Sequence, residues 1–471
     1  MKIKLYLDNL LFKSIKTIEI FSFRFLSLTK IAFLIIFSVY LFIFFKVQKY
    51  NDNEFIIWDA KIYYAYLPSI FIYNDVTLKF TDGNPDLKNR LVSDVLSNGN
   101  YINKMTYGVA LFASPFFFIG HFAAKVFGFE ANGFTKPYGI AIFLGSIFYF
   151  LAGIYFISKV LLNYTTQLIT SIVILCISFG TNVFFYTIHE GLMSHVYSFF
   201  LFAFFIYLTL KWHSDLKIFK SIVIGLVFGA IVLIRPINGL IILFFVLYQV
   251  TSFEELSKKI FFFLKNYLHL FIIIFATFLV LIPQFLYWKL ITGDFIFYSY
   301  QNEKFFFNSP FILEGLFSYR KGWLLYTPLA GLCILGFIYL KSNFKDFVFS
   351  IPIIIFLIIY ITFSWWCWWY GGCFGARNMV EYLPILAIPF AALIQNWSYS
   401  VSKKIILLFL LPFFIYLNIF QTFQYKASYI HWDSTTKATY NAVFLSNKKY
   451  FNPYDLKSPN YNNAKRGIDE Y

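Results

Sequence analysis

Hydrophobic residues in this chain come in long uncharged runs, not at amphipathic spacing. Residues 196–210, 222–234, 268–288 and 348–366 contain no Asp, Glu, Lys or Arg. Runs of about 17 to 25 such residues cross the hydrocarbon core as helices, because a helix satisfies its own backbone hydrogen bonds where no water can. The pattern predicts spans near 27–46, 138–160, 168–188, 196–212, 221–234, 237–250, 268–288, 323–340, 347–366, 380–397 and 405–421. The fold class expected is an all-α polytopic membrane protein with about 11 transmembrane helices.

Segment 109–129 is apolar enough to span but is interrupted by Pro115, His121 and Lys125. Parity decides how to read it. If it lies on the surface, four sets of basic loop residues fall inside: Lys211, Lys217 and Lys220; Lys258, Lys259 and Lys265; Lys341 and Lys345; Lys403 and Lys404. If it spans, all of them move outside, against the positive-inside tendency. The segment is therefore expected to be an interfacial or re-entrant helix. Arg235-Pro236 splits 221–234 from 237–250, and a single span there would invert every later loop.

This divides the chain into a cytoplasmic N-terminus (1–26), a transmembrane domain (27–421) and an external C-terminal tail (422–471). The first external loop, 47–137, carries surface helices, and the turn 189–195, the turn 235–236, the loop 289–322 and the segment 367–379 share its face. Lys2, Lys4, Lys13, Lys16, Arg24 and Lys30 precede the first apolar stretch and no small-residue cleavage site follows it. That reads as an uncleaved first span with its basic end inside.

Composition sharpens the class. The chain is 59% hydrophobic and 13% charged, where a soluble domain carries about a quarter charged residues. A net charge of +16 is compatible with nucleic acid in general. Here, however, the lysines sit in short loops, so membrane lipids and no nucleic acid are the expected partners. Lysine outnumbers arginine 33 to 6, a bias of AT-rich bacterial genomes that points to a bacterial inner (plasma) membrane. Cys176 and Cys333 lie in apolar runs and read as small core residues. Cys367 and Cys373 flank Trp-Trp-Tyr-Gly-Gly at a helix end; they are expected to be unpaired, with a disulfide as the alternative. No zinc-like Cys/His spacing is present.

Functional polar groups in such a protein collect at helix ends, because a charge at mid-membrane costs a few kcal/mol. Coupled transporters need ionisable groups or broken helices at mid-membrane, whereas these spans have uncharged middles. Asp59, in Trp58-Asp59-Ala60-Lys61-Ile62-Tyr63-Tyr64, opens an aromatic amphipathic stretch beyond the first span. A carboxylate set among Trp and Tyr rings that exclude water, Tyr64 included, gains basicity enough to take a proton from a hydroxyl; equally, Asp suits a helix cap. His189-Glu190-Gly191-Leu192-Met193-Ser194-His195 is either a plain polar connector or a site in which Glu190, His189 and His195 bind. As a metal set its spacing matches no ligand pattern. Five of the six arginines, Arg90, Arg235, Arg320, Arg377 and Arg466, fall in outer regions. Arg235, Arg320 (with Lys321 beside it) and Arg377 sit at helix ends where a planar guanidinium suits a phosphate, and membrane anchoring is the bland reading. Glycines around Arg377 allow close backbone approach.

At these residues the chain resembles the GT-C superfamily of polyprenyl-phosphate-sugar-dependent glycosyltransferases, in particular bacterial relatives of the dolichyl-phosphate-mannose–protein mannosyltransferases. The resemblance covers roughly residues 27–400. It implies that Asp59, early in the first external loop, is the catalytic carboxylate, that Glu190 is a second acidic residue, and that Arg235 and Arg377 bind the lipid phosphate. Surface helices at 60–72 and 109–129 match that loop. The chain departs from the pattern in having Asp59-Ala60 where many relatives have Asp-Glu. It also lacks an Asp-x-Asp motif, Asp52-Asn53-Glu54 being a poor substitute, so no essential cofactor is expected and a divalent metal stays open. The activity implied is transfer of a sugar from a polyprenyl-phosphate donor to a glycan, lipid or protein acceptor hydroxyl on the external face. Rival readings are a transporter or flippase of lipid-linked glycans, a polymerase or ligase of the O-antigen type, against which the short loop 289–322 argues, and a non-catalytic envelope-assembly protein.

Overall fold

The computed structural model describes residues 27–51, 56–450 and 452–468. The basic cluster Lys2 to Arg24 and the Asp52-Asn53-Glu54 segment lie outside these residues. The described chain is a helical bundle; its strands are the two-residue pair Asp94–Val95 and Tyr101–Ile102, antiparallel in the first long loop.

Among the described residues, eight helices are long and apolar enough to cross a membrane: Leu28–Asn51, Gly108–Val126, Lys136–Leu161, Ser194–Ser214, Tyr267–Thr292, Lys345–Phe363, Arg377–Trp397 and Val401–Lys426. The bent pair Gln167–Gly180 and Val183–His189 makes a ninth if counted as one span. Burial sorts them. The most apolar stretch of Arg377–Trp397 is 94% buried, whereas those of Leu28–Asn51 and Tyr267–Thr292 are each 28% buried. The first is the axis of the bundle, and the others present Phe and Leu side chains outward, the pattern of helices facing lipid. Segments 218–234, 236–247 and 329–343 are apolar but shorter, and the second and third include 3-10 turns. The expected continuous spans at 237–250 and 323–340 are thus interrupted helices. Pro236 and Pro328 remove donors at the first break and at the start of the second segment.

Breaks inside the bundle are stitched by side chains. At the 60° bend between Gly180 and Val183, Asn418 donates its amide to the carbonyls of Phe179 and Thr181 at 2.9 and 2.8 Å. A freed carbonyl in an apolar interior costs several kcal/mol if left alone, which is why a buried amide sits there.

Helix ends gather at two poles. At one, Tyr164 donates to Asp346 at 2.9 Å and meets Tyr248 at 3.0 Å, Trp397 donates to Tyr339, and Trp212 donates to Ser221 beside His269. The loops bearing Lys211 to Lys220, Lys258 to Lys265, Lys341 to Lys345 and Lys403 to Lys404 all belong to this pole. The amphipathic helix Phe253–Lys265 lies there too, with no buried residue. Asp59, Glu190, Arg235 and Arg377 occupy the opposite pole. Helix Gly108–Val126 meets the length criterion for a span and runs antiparallel along the first half of Lys136–Leu161: Gly120 meets Tyr138, Phe116 packs on Gly145, and Tyr149 donates to the carbonyl of Phe112 at 2.8 Å. Just before it, Thr106 donates to the carbonyl of Leu233 and Tyr107 binds Val280 and Gln284.

Tight helix pairing rests on small residues. Gly225 and Gly229, four apart, face Ile273 and Thr277 of Tyr267–Thr292, and a Cβ on Gly225 would run into the carbonyl oxygen of Ile273. Close backbone approach of this kind is how helices associate where lipid removes the hydrophobic drive. Gly225→Val is expected to destabilise the protein by about 1 to 3 kcal/mol, read as a lowered Tm in detergent. Gly331→Ala, where a Cβ would meet nothing within 4 Å, should leave Tm near wild type.

Candidate active site

Asp59 is the first residue of the short helix Asp59–Tyr64, and Trp58 before it holds φ at 52°. A tryptophan rarely adopts that conformation, so the turn is strained where the carboxylate is aimed. Asp59 does not cap the helix. Its Oδ2 lies 2.9 Å from a terminal nitrogen of Arg377, 318 residues away in sequence. The carboxylate is one-third exposed and the guanidinium 17% exposed.

Arg377 opens the 3-10 turn Arg377–Tyr382, which runs into Leu383–Trp397. Gly375, at φ 57°, bends the chain into it, and a Cβ there would meet Tyr326 at 2.9 Å. One turn on, Glu381 is fully buried and binds two donors. Arg235 Nη1 lies 2.5 Å from its Oε1, and His195 Nδ1 lies 2.8 Å from its Oε2. The Arg235 guanidinium also lies 5.8 Å from the ring centre of Tyr370, itself held at φ 57°. The fully buried carboxylate thus has two cationic or donor partners, as a low-dielectric site demands.

Glu190 sits in the turn between the two helices ending at His189 and starting at Ser194. Burial pushes its carboxyl pKa up first of all; Arg377 opposes this, Asp59 reinforces it, and Lys426 and Lys49 oppose it. Tyr63 completes the group. Its phenol is pushed up by burial and feels the charges of Arg235, Asp59 and Arg377, with Ser194 beside it. Asp59 and Tyr63 are one helical turn apart and share a face; Tyr64 lies off that face, buried against Phe117 and Phe134, with its hydroxyl donated to the carbonyl of Gly133 at 2.5 Å.

Asp59, Glu190, His195, Arg235 and Arg377 are therefore brought together from distant parts of the sequence. His189 borders them, with its ring 5.2 Å from Phe185 and its Nδ1 unpartnered among the described residues. Arg320 is used elsewhere. It donates to the carbonyls of Asp433 and Lys457 and stacks 5.3 Å from Trp369, fastening the C-terminal tail. Lys321 beside it donates to the carbonyl of Cys373, and burial brings its pKa down to about 8. Arg90 forms an i,i+4 pair with Asp86 at 3.0 Å. All four cysteines are free and buried, and Cys373 is occupied with the carbonyls of Trp369 and Gly375.

Glu381, Tyr63, Tyr370 and Asn378 belong to the site without having been singled out from the sequence. The one signal for Glu381 is a carboxylate in an otherwise apolar stretch four residues after Arg377. Asn378 is buried; neither its amide nitrogen nor its oxygen has a well-formed hydrogen bond among the described residues, although the Tyr370 phenol is close by. Among the described residues, no group of three or more His, Cys, Asp or Glu side chains is placed to hold a metal ion. The arrangement can bind an anion through Arg377, accept a proton at Asp59 and hold one at Glu190. The chain matches no known protein-family model, and no curated protein matches it.

The Glu190 carboxyl sets a pH dependence. Its folded pKa lies above the ordinary value of 4.5, so the stability it supports is full below that value and is lost as pH rises through the folded one. Glutamine has no proton to lose. Glu190→Gln is expected to match wild-type Tm at about pH 4 and to exceed it at about pH 8. A variant less stable than wild type at the higher pH would mean that the ionised carboxylate is held firmly by Arg377 and the lysines.

Proposed function

We propose that the protein is a GT-C-type membrane glycosyltransferase, which transfers a sugar from a polyprenyl-phosphate donor to an acceptor hydroxyl at the outer face of a bacterial plasma membrane. The observation that carries this reading is the Asp59–Arg377 pair, a potential base and a phosphate-binding fork held together at one pole of the bundle. A donor phosphate draws the Arg377 guanidinium away from Asp59 and so frees the carboxylate. Asp59 then takes the acceptor hydroxyl proton, the acceptor oxygen bonds to the anomeric carbon, and the bond from that carbon to the phosphate oxygen breaks. The phosphate leaves with the electron pair, and arginine stabilises the charge that develops on it. Glu190 and Asn378 position donor or acceptor, and Arg235 stays tied to Glu381.

The same reading has the chain cross the membrane eleven times. It leaves helix Gly108–Val126, packed beside the first half of Lys136–Leu161, out of the crossings, and counts the bent pair and the three shorter apolar segments as crossings. The gathering of basic loops at the pole remote from Asp59 supports it.

Asp59→Asn should insert and fold like wild type yet lose about 10² to 10⁴ in turnover, the usual cost of removing a general base. The assay is release or transfer of labelled sugar from a polyprenyl-phosphate hexose. Near-wild-type turnover would return Asp59 to a structural role. Arg377→Lys keeps the charge but loses the planar fork, and is expected to weaken donor use about ten- to a hundredfold; Arg90→Lys, far from the pair, should be near neutral. Equal, negligible effects at both positions would remove the phosphate assignment.

Topology is tested separately. Ser214, Ser257 and Ser309 are all exposed, and the native cysteines are all buried. In intact cells, Ser214→Cys and Ser257→Cys should resist a membrane-impermeant thiol reagent while Ser309→Cys reacts. Labelling of all three would rule out eleven crossings with this orientation.

A further inference from the structure

Next to the charged cluster lies a cleft of about 180 Å³, lined by Lys104, Ser299, Tyr300, Gln301, Asn302 and Glu303, with Asp94 and Lys465 at its edges. We propose that it is a saccharide-binding subsite that takes one pyranose ring of the acceptor glycan. The word acceptor rests on the transferase reading; the saccharide chemistry does not.

Charge comes first. Two lysines and two carboxylates line the cleft, so their formal charges cancel. Lys104 Nζ lies 2.5 Å from Glu303 Oε1 and 4.8 Å from the ring centre of Tyr300, while Lys465 lies over the ring of Trp366. The Trp366 indole donates to Glu303 Oε2 at 3.1 Å and fixes that carboxylate. A phosphate or an ammonium finds no net charge there. What remains available is neutral and two-sided: the side-chain amides of Gln301 and Asn302 each offer donors and an acceptor, and Asp94 offers acceptors. Closely spaced donors and acceptors of this kind suit a ring of hydroxyls.

Size and placement agree. The volume, about 180 Å³, is well above the roughly 10 to 15 Å³ of such space that one water needs and leaves room for one pyranose. The loop is held ready: Ser299 donates to the carbonyl of Lys104 at 2.7 Å, Tyr298 donates to that of Glu303 at 2.7 Å, and the Trp366 amide donates to that of Lys304 at 3.2 Å. Tyr300 forms a wall of the cleft and is close enough to Asp59, Tyr63 and Arg235 for their charges to act on its phenol.

The test is a titration of the full-length protein in detergent with methyl glycosides of glucose, galactose and mannose, followed by tryptophan fluorescence at low and high salt. At least one glycoside should bind saturably and independently of salt, since no ion pair forms with it. Gln301→Ala and Asn302→Ala, both at exposed positions, should each weaken that binding about three- to tenfold with Tm unaltered. Absence of saturable binding to wild type, binding indifferent to both substitutions, or binding lost in salt would each overturn the subsite. Saturating short-chain prenyl-phosphate hexose should leave the glycoside bound. Its displacement of the glycoside would put the donor's own ring in the cleft and overturn the acceptor assignment. Failure of the prenyl-phosphate hexose to bind at all counts against the transferase reading alone, because the glycoside titration decides the subsite by itself.

Discussion

A charge inside a membrane bundle has to be met by an opposite charge or give up its own, because removing an ion from water costs several kcal/mol even after the protein relaxes. The pole that holds Asp59 meets that constraint in three different ways. Glu381, fully buried, is held by Arg235 and His195 together. Asp59, partly exposed, is held by Arg377 alone. Glu190 has no such close arginine contact, and burial pushes its carboxyl pKa up. One physical rule thus yields a locked pair, an exchangeable pair and a carboxyl whose ionisation burial opposes, all within one cluster.

The same rule reaches the scaffold. Helices break at Gly180 to Asn182 and at Arg235-Pro236, and each break has polar side chains at hand, Asn418 at the first and Asn238 with Tyr382 and Ser198 at the second. The second break lets Arg235 leave its helix beside Glu381 instead of being carried on along an apolar face. The almost wholly buried helix that follows Glu381 can be the axis of the bundle because its one acidic neighbour is already neutralised at the end. Remove that pairing and the most central helix would begin with an uncompensated buried ion.

Runs of uncharged residues reveal a polytopic helical protein because lipid imposes one requirement on every spanning backbone. The same pattern is blind to helices that break and resume, so the interrupted segments near 236–247 and 329–343 read in sequence as plain spans. For the cluster, scarcity was the useful signal: six arginines in a lysine-rich chain direct attention to Arg235 and Arg377, and both lie at the site. Arg320 has the same signature, yet its guanidinium ties down the tail through backbone carbonyls, a use that local sequence cannot foretell. Choosing Tyr64 over Tyr63 turns on a single residue of helical phase, and that phase is set by the strained Trp58 before Asp59. Glu381 stays hidden because its partners lie 146 and 186 residues away, and only the fold brings them together.

The two arginines differ in what they leave behind. Drawing Arg235 toward an incoming phosphate would strand Glu381, which has no exposure to water, and breaking a buried pair by taking one partner costs about 3 to 5 kcal/mol. Drawing Arg377 away leaves Asp59, one-third exposed, and water can solvate it in place of the guanidinium. An anion arriving at this pole therefore exchanges partners far more cheaply with Arg377 than with Arg235. The cheaper exchange also uncovers a carboxylate. Under the transferase reading, phosphate binding and activation of the base are then a single event: Asp59 is masked while no donor is present and is released by the charge of the donor itself. Arg235, held by Glu381 and faced by Tyr370, is a fixed dipole that needs no rearrangement when charge develops on the leaving phosphate, which is the condition under which electrostatic stabilisation is most effective.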